Sequence, residues 1–109
     1  MDACQVSVTA ASRDEASAVA DALLDAHLAA CVQIIGPVES RYWWDGAREQ
    51  ANEWLCLVKT RSSLVDAVVA AVRAAHSYET PEILAVPVVA GDPDYLAWLE
   101  REASGLGDA

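Results

Sequence analysis

Apolar and polar residues recur along the chain with the periods typical of strands and helices. The run Cys4–Thr9 alternates strictly between apolar and polar positions, which predicts a half-buried strand. Ser12 followed by Glu15 forms a capping box, because the hydroxyl and the carboxylate can satisfy free amides at a helix start. Apolar residues at three-to-four spacing then predict an amphipathic helix to about Ala30.

The middle of the chain predicts a long hairpin. Two apolar-rich strands run approximately over Cys31–Trp44 and Ala47–Thr60. Asp45–Gly46 between them favours a tight turn, because both central positions of such a turn need positive φ. Gly36–Pro37 interrupts the first strand, so we expect a bulge or an edge position there.

The remaining pattern predicts a helix, a strand and a further helix. Thr60 or Ser62 is expected to cap the second helix, and Ile83–Val89 is predicted to form the last strand. Asp92–Pro93 combines a capping aspartate with proline at the first helical position. Two glycines are predicted to end this third helix: Gly105 and Gly107.

This order of elements predicts a single α+β domain over residues 1–109, with an ordered core of about residues 3–103. Strand, helix, strand, strand, helix and strand form the ferredoxin-like βαββαβ sandwich, with an antiparallel sheet and two helices on one face. A chain of 109 residues leaves no room for a second core.

The composition narrows the classes of function. The net charge is −10, and the few basic residues form no stripe along the chain. Both features disfavour nucleic acid as a partner. Apolar runs are too short to span a membrane, and the three cysteines show no paired spacing, so we expect a reduced cytoplasmic protein without a membrane partner. The sequence contains no Gly-rich phosphate loop, Gly-x-Ser-x-Gly elbow or metalloprotease motif, and we expect no enzymatic activity.

The hairpin predicts self-association. A strand of about 14 residues is roughly 45 Å long, whereas a domain of about 100 residues has a radius of gyration near 13 Å. The hairpin must therefore extend beyond its own core, with aromatic rings near its tip. Pairing continued without interruption from the turn puts Cys31 and Ile35 on one face with Cys56 and Val58. The same pairing puts four other apolar residues on the opposite face: Val32, Ile34, Leu55 and Leu57. Helices cover only one face, so the other requires a partner, unless the hairpin curls over its own sheet.

The segment His76–Ile83 collects the densest chemistry, with a histidine, a phenol and two carboxylates. His76 could bind a metal ion or respond to pH, or it could simply cap a helix or line an interface. Glu79 and Glu82 could supply oxygen ligands to a metal ion. Alternatively, they could accept hydrogen bonds from backbone amides or form salt bridges. Cys31 could offer a soft thiolate ligand, or it could pack in the core.

Five stretches, in this order over most of the chain, resemble the CutA family of divalent-cation tolerance proteins: Leu28–Ile34, Tyr42–Gly46, Val58–Arg61, His76–Ile83 and Tyr95–Leu99. The resemblance implies a ferredoxin-like homotrimer akin to the PII signalling proteins. It also implies a role in tolerance of copper and other divalent metals, with no established enzymatic activity. The family usually has proline where this chain has Ser77, so His76 could remain the last helical residue here.

The candidate site therefore has two binding interpretations, with no tightly bound cofactor in either, beside a third in which the segment only clamps the interface of a trimer. In the first, copper or another divalent cation binds weakly at a subunit interface through His76, Glu79 and Cys31. In the second, a PII-like cleft between subunits binds a small polar or anionic ligand, with a Lys59–Glu79 pair across it. The further candidates for this cleft or for the interface are Tyr78, Glu82, Trp43, Trp44 and Trp54.

Overall fold

The computed structural model describes residues 1–105, so Gly107 lies outside the described residues. The strands and helices, in chain order, are β1 (Ala3–Ala10), α1 (Arg13–Asp25), β2 (Cys31–Trp44), β3 (Ala47–Arg61), a short 3₁₀ turn (Ser62–Leu64), α2 (Val65–Ala75), β4 (Ile83–Pro87) and α3 (Pro93–Glu102). The sheet has the strand order β2-β3-β1-β4, and every neighbouring pair is antiparallel. This topology confirms the predicted ferredoxin-like α+β sandwich.

The core lies between one face of the sheet and the helices α1 and α2. Alternate residues of β1, including Val6 and Val8, are fully buried there because strand side chains point to opposite faces. Val19 and Leu23 of α1 meet them, as does Val68 of α2. Because α1 and α2 pack on this face, they do not cover the opposite face of the sheet, as the sequence predicted.

Gly36–Pro37 forms a bulge that changes which residues share a face. Ile35 pairs with Leu55, but the next pair toward the turn is Val38 and Glu53, so two residues of β2 oppose Trp54 alone. A one-residue slip moves every following side chain to the other face. The predicted assignment of side chains to the two sheet faces is therefore wrong for the base of the hairpin, where Cys31–Ile35 pair with Leu55–Lys59.

In the observed register, two directly opposed pairs point into the core: Val32 with Val58, and Ile34 with Cys56. Cys31 and Ile35 instead lie on the outer sheet face, opposite Lys59 and Leu55 respectively. The turn half of the hairpin, which is the part between Val38 and Glu53, keeps the predicted register.

With the hairpin included, the domain is 44 Å along its longest axis and has a radius of gyration of 14.3 Å. At its tip, Trp43 is 71% exposed and Trp44 is 54% exposed. The Arg48 guanidinium lies 5.6 Å from the centre of the Trp43 ring, which is a cation–π contact. The exposed rings agree with the prediction of a hairpin that its own core does not support.

Three element boundaries differ from the predictions. Helix α1 ends at Asp25 rather than near Ala30, because His27 adopts a left-handed φ of 53°. The amides of His27 and Leu28 then donate to carbonyls of the last turn, which is a Schellman ending. Neither predicted hydroxyl caps α2, and that of Thr60 donates to the Leu28 carbonyl instead. Strand β4 ends at Pro87, two residues earlier than predicted.

Asp2 connects the start of the chain to three other elements, which are β3, the 3₁₀ turn and α3. Its carboxylate accepts from the Ser63 hydroxyl at 2.8 Å and from Arg61 Nε at 3.2 Å, and its amide donates to Glu100 at 2.8 Å. The hydrogen bond from Ser63, helped by Arg61, holds the pKa of Asp2 below its ordinary value, although partial burial opposes this.

We expect acid to destabilise the fold in part through Asp2. A carboxylate with a lowered folded-state pKa stabilises fully above its ordinary pKa and loses that contribution as the pH falls through the folded value. Thermal unfolding at pH 7 and at about pH 3 should show a smaller acid-induced loss of Tm in Asp2→Asn than in the wild type. Asp21→Asn, exposed on α1, is the control and should match the wild type. Equal losses in Asp2→Asn and the wild type would contradict this role.

Candidate functional site

His76 lies just beyond α2, at the edge of the sheet. Its backbone is extended, with φ of −99° and ψ of 142°. His76 is therefore not the last helical residue, although serine rather than proline at position 77 would have allowed it to be. The pairing of β4 with β1 ends at Val8, and the His76 ring nitrogen Nε2 lies against the carbonyl of the next residue, Thr9. The Tyr78 amide donates to Nδ1 at 3.0 Å. Both contacts are satisfied by the neutral imidazole that carries its proton on Nε2.

Glu15 connects the start of α1 to the same segment. One carboxylate oxygen accepts from the Ala11 amide at 3.1 Å, and the other accepts from the Ser77 amide and lies 3.7 Å from His76 Nδ1. Burial alone would raise the pKa of Glu15, but the hydrogen bonds from Ser77 and Ala11 hold it below its ordinary value. The predicted cap itself is confirmed, since the Glu15 amide donates to the Ser12 hydroxyl.

Tyr78 forms the second long-range contact of the segment. Its hydroxyl donates to Glu53 at 3.0 Å, and Glu53 is only 6% exposed. Burial, followed by the hydrogen bond to Glu53, raises the pKa of Tyr78 to about 12. The phenol is therefore a hydrogen-bond donor at neutral pH rather than a group that exchanges its proton there.

A cleft of about 690 Å³ opens between the 77–82 segment and the turn half of the hairpin. Thr9 of β1 lines it together with residues of both parts: Ser40, Arg41, Tyr42, Trp44, Glu53, Ser77, Tyr78, Glu79, Thr80 and Glu82. The Arg41 guanidinium is paired with Glu39 at 3.0 Å. Of the predicted tryptophans, only Trp44 lines the cleft. Trp54 instead packs against the core, 6.0 Å from the Arg13 guanidinium.

Cys31 and Lys59 lie at the other end of the sheet. They oppose each other on β2 and β3, and the Lys59 ammonium donates to Gln5. Gln5 is four residues before Thr9 on β1, a separation of roughly 13 Å. One chain therefore brings Glu79 and Glu82 to the cleft, while Cys31 and Lys59 remain distant from it. Within residues 1–105, no three potential metal ligands come together.

The other two cysteines are buried, and Cys56 lies in the core. Its thiol donates to the Ala16 carbonyl at 3.8 Å, and burial raises its pKa. Cys31 is only half-buried, because the bulge turns it to the outer face.

Sequence reasoning missed several groups that shape the cleft. Glu53 and Arg41 lie on strands without any local motif, so only the fold could bring them to the cleft. Glu15 gave one signal, its place in a capping box, but that motif predicts a contact within the helix rather than one with Ser77.

The match to a known family decides what kind of protein this is. A family model described as CutA1 divalent ion tolerance protein matches residues 4–102. The chain belongs to this family. A divalent-cation tolerance protein CutA from Archaeoglobus fulgidus is 44% identical over 94 residues, which cover 86% of this chain and 91% of the relative.

Solved structures share the fold. A CutA1 structure from Thermus thermophilus has a TM-score of 0.90 at 37% identity, covering 92% of this chain and 97% of that chain. The structure of a protein named periplasmic divalent cation tolerance protein CutA, from Archaeoglobus fulgidus, has a TM-score of 0.90 at 40% identity, and the match covers 93% of this chain and 98% of that chain.

Some CutA relatives are longer than this chain. The chain spans 54% of the CutA 1 protein of Oryza sativa, which is named chloroplastic and is 40% identical over 88% of this chain. It spans 58% of the CutA protein of Mus musculus, at 38% identity over 94% of this chain. Among the described residues, no helix is both long and apolar enough to cross a membrane.

Proposed function

We propose that this CutA-family protein acts in the cytoplasm as a homotrimer that supports divalent-metal tolerance, by binding copper or a related cation weakly at clefts between subunits. Membership of the divalent ion tolerance family over residues 4–102 is the observation that carries this proposal. Binding rather than catalysis is the proposed activity, and the acidic net charge of −10 favours cations over nucleic acid.

Exposed apolar side chains support the assembly. Leu84 is 63% exposed and Ile35 is 48% exposed, and both belong to the sheet face that α1 and α2 leave open. The aromatic rings at the hairpin tip are also apolar groups that the single chain leaves exposed to water. A cyclic trimer would bury these groups without leaving a further open surface.

The chemistry of the cleft fits a weak cation site. Glu79 and Glu82 line it, and carboxylate oxygens suit hard divalent cations. His76 has both ring nitrogens engaged, so we assign it to shaping the site rather than to ligating from within its own chain. Cys31 would reach the metal only from a neighbouring subunit. Because Lys59 opposes Cys31, the proposed Lys59–Glu79 pair would bring that thiol to the same interface.

Calorimetric titration of the reduced full chain with copper(I), copper(II) and zinc tests this proposal. We expect saturable binding that weakens in the double variant Glu79→Gln, Glu82→Gln by at least the roughly 10–100-fold typical of disturbing a metal's surroundings. Glu49→Gln, on the exposed hairpin tip, is the matched control and should bind like the wild type. The absence of saturable binding, in the wild type and in His76→Ala alike, would refute direct metal binding.

A PII-like role is the second candidate, in which the cleft binds a small polar ligand. Its volume of about 690 Å³ and its aromatic walls support this role, since small-molecule pockets have such sizes and linings. A thermal-shift screen of metabolites distinguishes the two. A stabilising metabolite whose effect disappears in Lys59→Ala would favour the PII-like role, and stabilisation by metals alone would favour the first.

A further inference from the structure

The Glu15 carboxylate joins two elements that the chain order separates by more than sixty residues. Its side chain is only 14% exposed, so the carboxylate depends on protein donors more than on water. The two oxygens have separate tasks. Oε2 accepts from Ala11 next to the helix start, and Oε1 accepts from Ser77 at the entry to the cleft segment.

The donor of the second hydrogen bond exists because residue 77 is serine. A proline at this position would carry no backbone N–H and could not donate to Glu15. Serine also leaves the backbone of residue 76 freer than proline would. The Glu15–Ser77 hydrogen bond restrains the backbone directly after His76, beside the contacts that His76 makes itself.

The cleft segment has few other attachments. His76 is held by Thr9 and Tyr78, and Tyr78 is held by Glu53. Beyond Tyr78, the contact of Arg73 with the Glu79 carbonyl is long, at 3.5 Å. Glu15 thus acts where the chain leaves His76, at Ser77, the first residue after His76 that lines the cleft.

We propose that Glu15 is a positioning residue for the cleft: through the Ser77 amide it sets where Ser77–Glu82 lies, so that the cleft wall is fixed by the start of α1. This role concerns the free protein and does not depend on a bound metal or ligand. It assigns to the capping-box glutamate a function beyond starting its own helix.

Amide NMR with hydrogen exchange on the metal-free, reduced full chain tests the proposal. In Glu15→Ala, we expect the Ser77 amide to exchange roughly 10–100-fold faster, the range that a charge-assisted hydrogen bond implies. The amide resonances of Tyr78 and Glu79 should shift, while those of Leu84 on β4 stay in place. Glu15→Gln keeps a carbonyl acceptor and should partly restore protection, and Asp14→Asn, exposed beside Glu15, should match the wild type.

A double-mutant cycle with Ser77→Pro gives an independent readout through stability. Because proline removes the donor, Glu15→Ala should reduce the folding equilibrium constant several-fold less in the Ser77→Pro background than in the wild-type background. Equal reductions in both backgrounds would overturn the proposal. Unchanged exchange of the Ser77 amide in a folded Glu15→Ala protein would overturn it as well. Both tests use metal-free protein, so their failure would leave the metal-binding proposal untouched.

Discussion

Gly36→Ala is expected to lower the free energy of unfolding by about 1–3 kcal/mol or more, the cost of inserting an atom into a packed site. A Cβ at this position would lie 2.5 Å from Cδ2 of the Trp54 ring and closer still to Cε3. The ring is packed against the core and lies near Arg13, so it has little room to move away. The bulge thus depends on the absence of a side chain opposite Trp54.

Gly91→Ala is the matched control for this substitution. A Cβ there would meet the end of the Leu96 side chain at 3.3 Å, which a small rotation can relieve, so we expect little loss. Urea unfolding should be measured at one protein concentration, because the stability of an oligomer depends on it. A change below about 0.5 kcal/mol in Gly36→Ala would show that the Trp54 ring yields easily.

Leu84→Lys is expected to convert the assembled protein into a monomer. Leu84 is largely exposed in the single chain, so a lysine there should leave the domain folded. In the proposed trimer the same position is buried, and an unpaired ammonium in an apolar contact is costly. Symmetry repeats that cost in every subunit.

Light scattering should find the mass of three 11.6 kDa chains for the wild type and of one chain for Leu84→Lys. Leu24→Lys is the control, because Leu24 is 38% exposed on α1, in the helical layer away from the open sheet face. That variant should remain trimeric. A wild-type monomer, or a trimer that tolerates Leu84→Lys, would contradict the proposed contact surface.

Local sequence signals predicted most of the fold. Asp45–Gly46 gave the turn, and Ser12 and Asp92 gave two helix starts that the structure confirms. The faces at the base of the hairpin could not follow from the turn alone. Gly36–Pro37 signalled an interruption, but its size, one extra residue on β2, depends on packing against Trp54. The end of α1 could not be predicted either, because His27 takes the left-handed conformation at which glycine is usual and histidine is rare.

The candidate site was predictable as a segment but not as a geometry. The cluster of ligand-type residues in His76–Glu82 pointed to the cleft, and Glu79 and Glu82 do line it. The roles of His76 and Tyr78 depend on Thr9 and Glu53, which are distant in sequence and carry no motif. Cys31 was grouped with them by chemical type, whereas the fold places it at the opposite end of the sheet. A shared interface is what could still join them.

Anomalous diffraction from a copper-soaked crystal of the full chain tests the central proposal most directly. We predict a copper peak within about 2.0–2.6 Å of a Glu79 or Glu82 oxygen, at a boundary where a second subunit completes the cleft. A second subunit contributing Cys31 near that peak would support the shared site. Well-ordered crystals with no copper at the cleft, or with copper held by one chain away from any subunit boundary, would contradict it.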